Sequence, residues 1–445
     1  MKKIFSLIAL VLSVAMLLSS CNGVDLFRSA DSLLSPPLYF DEYEGLVEVI
    51  RSDISPDSYF CTPYSGDRQS GIIVEDIDGD SENEAIVLYC DSVADQTPKI
   101  RFYDENDGEW SLSTSYIGYG NQVESVTVKD FDNNGINEII VIWTMTGIST
   151  NKILTVYHHS ENKAGYKEIS NETCAATFIG DVDGDTFDEI FLITPNNNTA
   201  SPQRFARIIG ISSGSAVLKG ETKVDANISS YSPINVIPAS SSSPMMIYVD
   251  AFKGERQMIT EVIYWDSENN GLYNPFFNLD TMSNEATLRY DPIPSSDING
   301  DGVIDIPYQV EVLSSSADPI AIDPNNVYIT SWLNCYPDGG FETVENALVN
   351  FEQGYKITIA NEERYAITLV RQSDNAVWTI CEKDTVTGEN IQLYSVITVS
   401  GESAEESNYP TVASAEGFSV CVNIHQAGID RGITPEVLGT KISLL

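Results

Sequence analysis

The stretch Asp76-Ile-Asp-Gly-Asp-Ser-Glu-Asn-Glu84 crowds carboxylates between two apolar runs, Gly71–Val74 and Ala85–Tyr89. Counted from its first Asp, positions 1, 3 and 5 are Asp76, Asp78 and Asp80, and position 9 is Glu84. The pattern returns three times. Asp130, Asp132, Asn134 and Glu138 form the second copy, and Asp181, Asp183, Asp185 and Glu189 the third. Asp297, Asn299, Asp301 and Asp305 form the fourth. Glycine stands at position 4 or 6 each time: Gly79, Gly135, Gly184, and both Gly300 and Gly302. Glycine permits the positive φ of a tight curl, and a curl turns alternate side chains toward one centre. Oxygen-only donors at that density suit a hard cation taking six to eight ligands, which is calcium; magnesium, with its stricter octahedron, ranks second. The expectation is one ion per loop, about four in all. Without metal, crowded carboxylates repel, so the loops would be loose or shifted in pKa. Acidic turns that only cap strands through Asx-type hydrogen bonds are the bland alternative.

The loops need elements to hold them, and the chain supplies a repeat. The copies start at 76, 130, 181 and 297. The first two intervals are a little over fifty residues, and the last is about double. Near the missing start stand two apolar runs, Ile234–Ile237 and Met245–Val249, with Ser240–Ser243 between them in place of acids. That reads as a repeat which kept its strands and lost its site. Each unit also holds a later strand, a turn and a return, as in Arg101–Asp104 with Gly108–Trp110, or Val262–Asp266 with Gly271–Tyr273. The third unit is weaker there, with Arg207–Ile211 and Ala216–Leu218. Five units of about four strands fit between about 60 and 350. Such units cannot bury both faces alone, and radial stacking solves this. The predicted fold is therefore all-β: a β-propeller of about five four-stranded repeats over 38–350, followed by a small C-terminal mainly-β domain over 351–445. A β-sandwich or an open β-solenoid is the alternative, and the last segment could instead complete the propeller as a sixth blade.

In an EF-hand, position 12 supplies a bidentate acid. Here that position is Val87, Val141, Leu192 or Tyr308. The shorter pattern between two strands resembles the FG-GAP (VCBS-type) repeat of integrin-like β-propellers. The resemblance implies a backbone carbonyl ligand at position 7, which is Glu82, Ile136, Phe187 or Val303. Two departures stand out: one unit lacks the loop, and full members of the family usually have seven units.

The chain begins Met1-Lys2-Lys3, runs apolar from Ile4 to Leu18, and continues Leu18-Ser19-Ser20-Cys21. This order is that of a secretory signal, and its end resembles the bacterial lipoprotein lipobox. The resemblance implies that Cys21 becomes the acylated N-terminus after loss of the signal, with 22–37 as a tether. The expected location is then the outer face of a bacterial membrane, reached through the lipid anchor only.

The 445 residues carry 24 Lys+Arg against 65 Asp+Glu, a net charge of -41. That balance excludes a nucleic-acid partner, which needs a basic face. It also excludes electrostatic docking to anionic lipid. Cys61, Cys90, Cys174, Cys335, Cys381 and Cys421 are scattered without zinc spacing. An even number permits disulfides but fixes no pairing. His158-His159 ends an apolar run and reads as surface. Residues 42–54 have helical apolar spacing, and Thr434-Pro435 reads as a helix start. There is no HExxH, nucleophile elbow or phosphate-binding glycine loop. The expected function is a binding or recognition module for an extracellular glycan, peptide or protein. The alternatives are an extracellular polysaccharide hydrolase or lyase on the same scaffold, or a structural subunit of an envelope complex. Tyr116–Asn121 and Thr194–Pro202 are candidate ligand loops.

Overall fold

The computed structural model describes residues 43–445, apart from 146–150, 161–164, 197–201, 241–242, 312–327, 337–339, 365, 372–375, 385 and 401–407. Cys21, the signal and the tether lie outside the described residues, as does the middle of the Thr194–Pro202 segment. The chain is all-β, and its described strands form six antiparallel sheets. Among the described residues no helix is long and apolar enough to cross a membrane.

Two compact units divide the chain. The first runs to Asn171 without 131–134 and 150–152; the second takes those segments and Glu172–Leu445. In the first unit, helix α1 (Glu44–Asp53) precedes β1 (Tyr59–Phe60), β2 (Ile72–Glu75), β3 (Glu84–Cys90), β4 (Lys99–Asn106) and β5 (Glu109–Ile117). Both β1 and β2 pair with β3, at its two ends, so one edge of the sheet is built from two pieces. The next sheet is the meander β6 (Gln122–Lys129), β7 (Glu138–Thr144), β8 (Lys152–His159) and β9 (Tyr166–Cys174). β3 and β7 are buried almost throughout because they face neighbours on both sides. Ile86, Leu88, Ile100 and Phe102 of the first sheet pack with Val126, Val141, Trp143 and Tyr157 of the second. The other face of β3 takes Leu46 and Ile50 of α1, confirming the helical spacing read from the sequence.

The second unit repeats the scheme. β10 (Ala176–Gly180), β11 (Glu189–Ile193), β12 (Arg204–Ser212) and β13 (Ser215–Val224) form one meander. β14 (Ser230–Ile237), β15 (Met246–Lys253), β16 (Gln257–Asp266) and β17 (Gly271–Tyr273) form the next. Phe191, Ile193 and Ile208 pack against Ile247, Val249, Ile263 and Trp265 between them. The stretch that looked weak is full length: β12 and β13 run nine and ten residues. Its signal was faint because β13 runs from Leu218 into Lys219-Gly-Glu-Thr-Lys223, with no apolar side chain before Val224. The fourth meander has strands and no acidic loop, as the repeat implied.

In the fifth sheet β18 (Asp305–Glu311), β19 (Tyr328–Cys335), β20 (Phe341–Asn350), β21 (Tyr355–Thr358) and β27 (Ile442–Leu444) lie side by side. What would be its first strand is reduced to a bridge, Ser296 with Asp305. The sixth sheet has the order β22 (Ile367–Arg371), β23 (Val377–Lys383), β24 (Asn390–Ser400), β26 (Phe418–Ile424), β25 (Thr411–Ala415). Helices α2 (Gln426–Asp430) and α3 (Pro435–Lys441) follow, and the Thr434 side chain caps α3 by accepting from the Val437 N–H at 3.3 Å. The expected boundary at 350–351 falls inside one sheet, because β20 pairs with β21 and β21 with the C-terminal β27. The fifth and sixth sheets also share a core: Ile329, Leu348 and Ile357 pack with Trp378, Ile380, Val396 and Val420.

Candidate metal centres

Three of the loops join the first two strands of a meander, and the fourth precedes β18. All four share one backbone frame. Positions 4 and 6 have positive φ in each: Gly79 and Ser81, Asn133 and Gly135, Gly184 and Thr186, Gly300 and Gly302. Glycine was visible in the sequence; the left-handed Ser81, Asn133 and Thr186 were not. Position 1 holds the curl by accepting backbone N–H groups on both oxygens. Asp76 takes Gly79 at 2.8 Å and Ser81 at 3.1 Å, and Asp181 takes Gly184 at 2.8 Å and Thr186 at 3.1 Å. Asp297 takes Gly300 at 2.7 Å and Gly302 at 2.8 Å. In the second loop Asp130 accepts from Gly135 at 2.8 Å.

Position 5 accepts from the N–H of position 7: Asp80 from Glu82, Asp185 from Phe187, Asp301 from Val303. That fixes position 7 in the curl, Ile136 being its counterpart in the second loop. Position 9 is buried in every copy: Glu84, Glu138, Glu189 and Asp305. It reaches back under the loop. Glu84 Oε2 accepts from Ile77 at 2.6 Å, Glu189 Oε2 from Val182 at 2.9 Å, and Asp305 Oδ2 from Ile298 at 3.2 Å. Burial pushes Glu84 up to about 7, against the pull of the Ile77 N–H. Burial raises Asp78 and Asp305 as well, with neighbouring carboxylates adding to it. These are the shifts expected where negative charge gathers without water.

Two sets of ligand oxygens converge within 4.8 Å of one another: Asp76, Asp78 and Glu84, and Asp181, Asp183 and Glu189. Both triads could hold a metal ion. The second and fourth loops form no such triad among the described residues. The fourth has Asn299 at position 3, whose Nδ2 donates to Asp301 at 2.8 Å. One oxygen in each of these two loops fits a cation nonetheless. Asp305 Oδ1 and Asp132 Oδ1 are buried with no hydrogen-bond partner. Asp104 Oδ1 is orphaned in the same way, on the residue that pairs with Glu84 across β3 and β4.

The loops differ in what faces the position-9 acid. In the first it is Asp104. In the second, His158 Nδ1 lies 2.9 Å from Glu138 Oε1. His159, beside it, puts Nδ1 3.3 Å from Asp78 Oδ2 of the first loop. The pair expected at the surface is therefore largely buried, with each ring against an acidic loop. In the third loop Lys219 Nζ sits 2.6 Å from Asp183, 2.7 Å from Asp185 and 2.7 Å from Glu189. Burial works against its charge, but the three carboxylates outweigh it and hold the ammonium above its ordinary pKa. Gly210 makes the room: a Cβ there would stand 2.8 Å from Lys219 Cδ. In the fourth loop Asn334 pairs with Asp305. Sequence spacing hid these partners, because each lies on a later strand and reaches its loop only through strand register.

A second polar cluster lies in the fourth meander, which has no acidic loop. Arg289, fully buried, donates to Asp250 at 2.8 Å and to Thr260 at 3.0 Å. Glu261, also fully buried, accepts from the Asp225 N–H at 2.7 Å, Asn274 at 2.8 Å and Asn284 at 3.1 Å. Its sequence signal was a charge in the middle of the apolar run Met258–Trp265. Every member has partners, so the cluster reads as a lock between β15, β16 and the segment after β17.

No family model matches the chain, and no curated protein does. Among solved structures the chain is similar to a Bacillus licheniformis rhamnogalacturonan lyase, at 10% identity and a TM-score of 0.29, covering 64% of this chain and 68% of that one.

Proposed function

We propose that this chain is an exported, lipid-anchored calcium-binding protein whose four-stranded sheets stack as an FG-GAP-like β-propeller to present a recognition surface. The single observation that supports it most is the shared loop frame, with a buried acid at position 9 in all four copies. Burying four carboxylates without compensation costs several kcal/mol each. A divalent ion in the first loop offsets that cost through Asp76, Asp78, Asp80 and Glu84. The same ion ties β2 to β3. The second and fourth loops offer fewer converging acids and would bind more weakly. In the third loop Lys219 already supplies a cation, so the expectation of four equivalent ions narrows to fewer than four. Magnesium remains the second choice, since loops rich in carboxylate and carbonyl oxygen favour the larger ion.

The lipobox-like order that ends at Cys21 supports a location outside the cell, and the partner we propose there is a glycan, peptide or protein. The test of the metal reading is calorimetric titration with calcium and with magnesium, on the wild type and on Asp76→Asn/Asp78→Asn. The double variant should bind one calcium fewer and lose most of the calcium-dependent rise in melting temperature. An unchanged stoichiometry would refute the assignment of the first loop. A glycan array probed in calcium and in chelator tests the partner class.

A further inference from the structure

Two cysteines that sequence spacing could not pair meet at the split edge of the first sheet. Cys90 ends β3 and is buried; Cys61 directly follows β1 and is half-buried. The register brings them together. Tyr59 pairs with Cys90 and Phe60 with Tyr89, and the Cys61 N–H donates to the Leu88 carbonyl at 2.9 Å. Their Sγ atoms then lie 2.7 Å apart. Separate thiols cannot rest there, since even carbon atoms in contact stand about 3.5–4.0 Å apart. A shared zinc does not fit either. Two thiolates at about 2.3 Å from a tetrahedral ion lie nearly 4 Å from each other, and among the described residues neither cysteine belongs to a possible metal group.

We propose that Cys61 and Cys90 form a disulfide. The oxidant is a thiol–disulfide exchange partner, such as a dithiol oxidase in its oxidised form or glutathione disulfide. The more exposed Cys61 gives up its proton, and its thiolate attacks one sulfur of the oxidant. That breaks the oxidant's S–S bond and releases one thiolate. Cys90, deprotonated in turn, attacks Cys61 Sγ in the mixed disulfide and releases the second. Two protons and two electrons leave the protein, and the oxidant is reduced to two thiols. An export signal at the N-terminus fits this chemistry, which belongs to oxidising compartments. The bond closes residues 61–90, a segment holding β2, the whole first acidic loop and β3. It therefore braces the metal loop from the far end of the same strand, independently of whether metal binds.

The experiment uses the full chain, equilibrated with glutathione disulfide in chelator. It is unfolded in guanidinium and labelled with N-ethylmaleimide before and after reduction, with peptide mass spectrometry to assign each thiol. Cys61 and Cys90 should label only after reduction, and one linked peptide should join them. In Cys61→Ser, treated the same way but with the oxidant removed by buffer exchange before unfolding, Cys90 should label without reduction. Full labelling of Cys61 and Cys90 in the unreduced wild type would overturn the proposal, as would a linked peptide joining either one to another cysteine.

Discussion

Lys219→Met keeps the aliphatic stem over Gly210 and removes the ammonium from the third loop. What remains is Asp183 and Glu189, with side chains 8% and 0% exposed, and Asp185, nearly half in water at 44%. Removing one partner of a buried ion pair costs about 3–5 kcal/mol. The 27% exposure of Lys219 and the open position of Asp185 reduce that by solvent screening, so about 2–3 kcal/mol is expected in chelator. For a unit of this size that lowers the melting midpoint by roughly 3–5 °C. Calcium should then reverse the loss. The vacated cradle keeps Asp181, Asp183, Asp185 and Glu189 in the frame of the first loop. At a dissociation constant of about 10⁻⁴ M, within the range of extracellular modules, about 10 mM calcium contributes about 2.7 kcal/mol. The ion thus restores about what the lysine supplied. Scanning calorimetry in chelator and in calcium, with titration to count ions, is the assay. The variant should bind one more calcium than the wild type and respond more steeply to it. Gly210→Val, whose side chain collides with the lysine stem, should move the same way. Equal ion counts in wild type and Lys219→Met would show that the ammonium does not hold an ion's place. So would loss of a calcium from the wild type on Asp183→Asn/Asp185→Asn, since that would show the ion already sitting where the lysine is.

Three further changes test the frame around these sites. Arg289→Met strands Asp250, which is 2% exposed, so unfolding in urea should show a loss of about 3–5 kcal/mol; a loss under 1 kcal/mol would mean the pair is dispensable. Thr186→Gly relieves a β-branched residue at φ 77° while keeping its N–H on Asp181; it should gain about 0.5–1 kcal/mol in chelator, and a loss would show that the left-handed turn is unstrained. Glu261 is raised above its ordinary value of 4.5 by burial, against the donors on Asp225, Asn274 and Asn284. Folded chains then bind more protons there than unfolded ones. Its contribution is complete below the unfolded value and is lost as pH rises through the folded value. The stability of wild type minus Glu261→Gln, measured by denaturant titration, should therefore fall from about pH 4.5 upward; a difference that grows with pH would reverse the sign of the shift.

The four loops and most of the strands around them were legible because both signals are local. A curl needs its glycines and acids within nine residues, and a buried strand needs a run of apolar ones. The strands read faintly or missed were of two kinds. β13 hides behind Lys219, Glu221 and Lys223, since one of its faces meets water and a loop. The C-terminal β27 belongs to the fifth sheet only because the chain returns to it from 442. What was not legible is what each loop does with its charge, and the reason is geometric. The position-9 acid meets a partner on the third strand, and that residue is fixed by register across strands, which carries no sequence motif. The four loops therefore keep one frame and set Asp104, His158, the Lys219 packed over Gly210, and Asn334 against the same acid. A carboxylate there adds a donor for a divalent ion. A histidine occupies one carboxylate oxygen of the acid with its ring nitrogen. A glycine admits a lysine from the fourth strand, whose ammonium meets the carboxylates where an ion would sit. A repeat detected by its loop alone would be assigned metal in every copy; on the function proposed here, the cross-strand residue is what separates a cation bound from solution from one supplied by the chain.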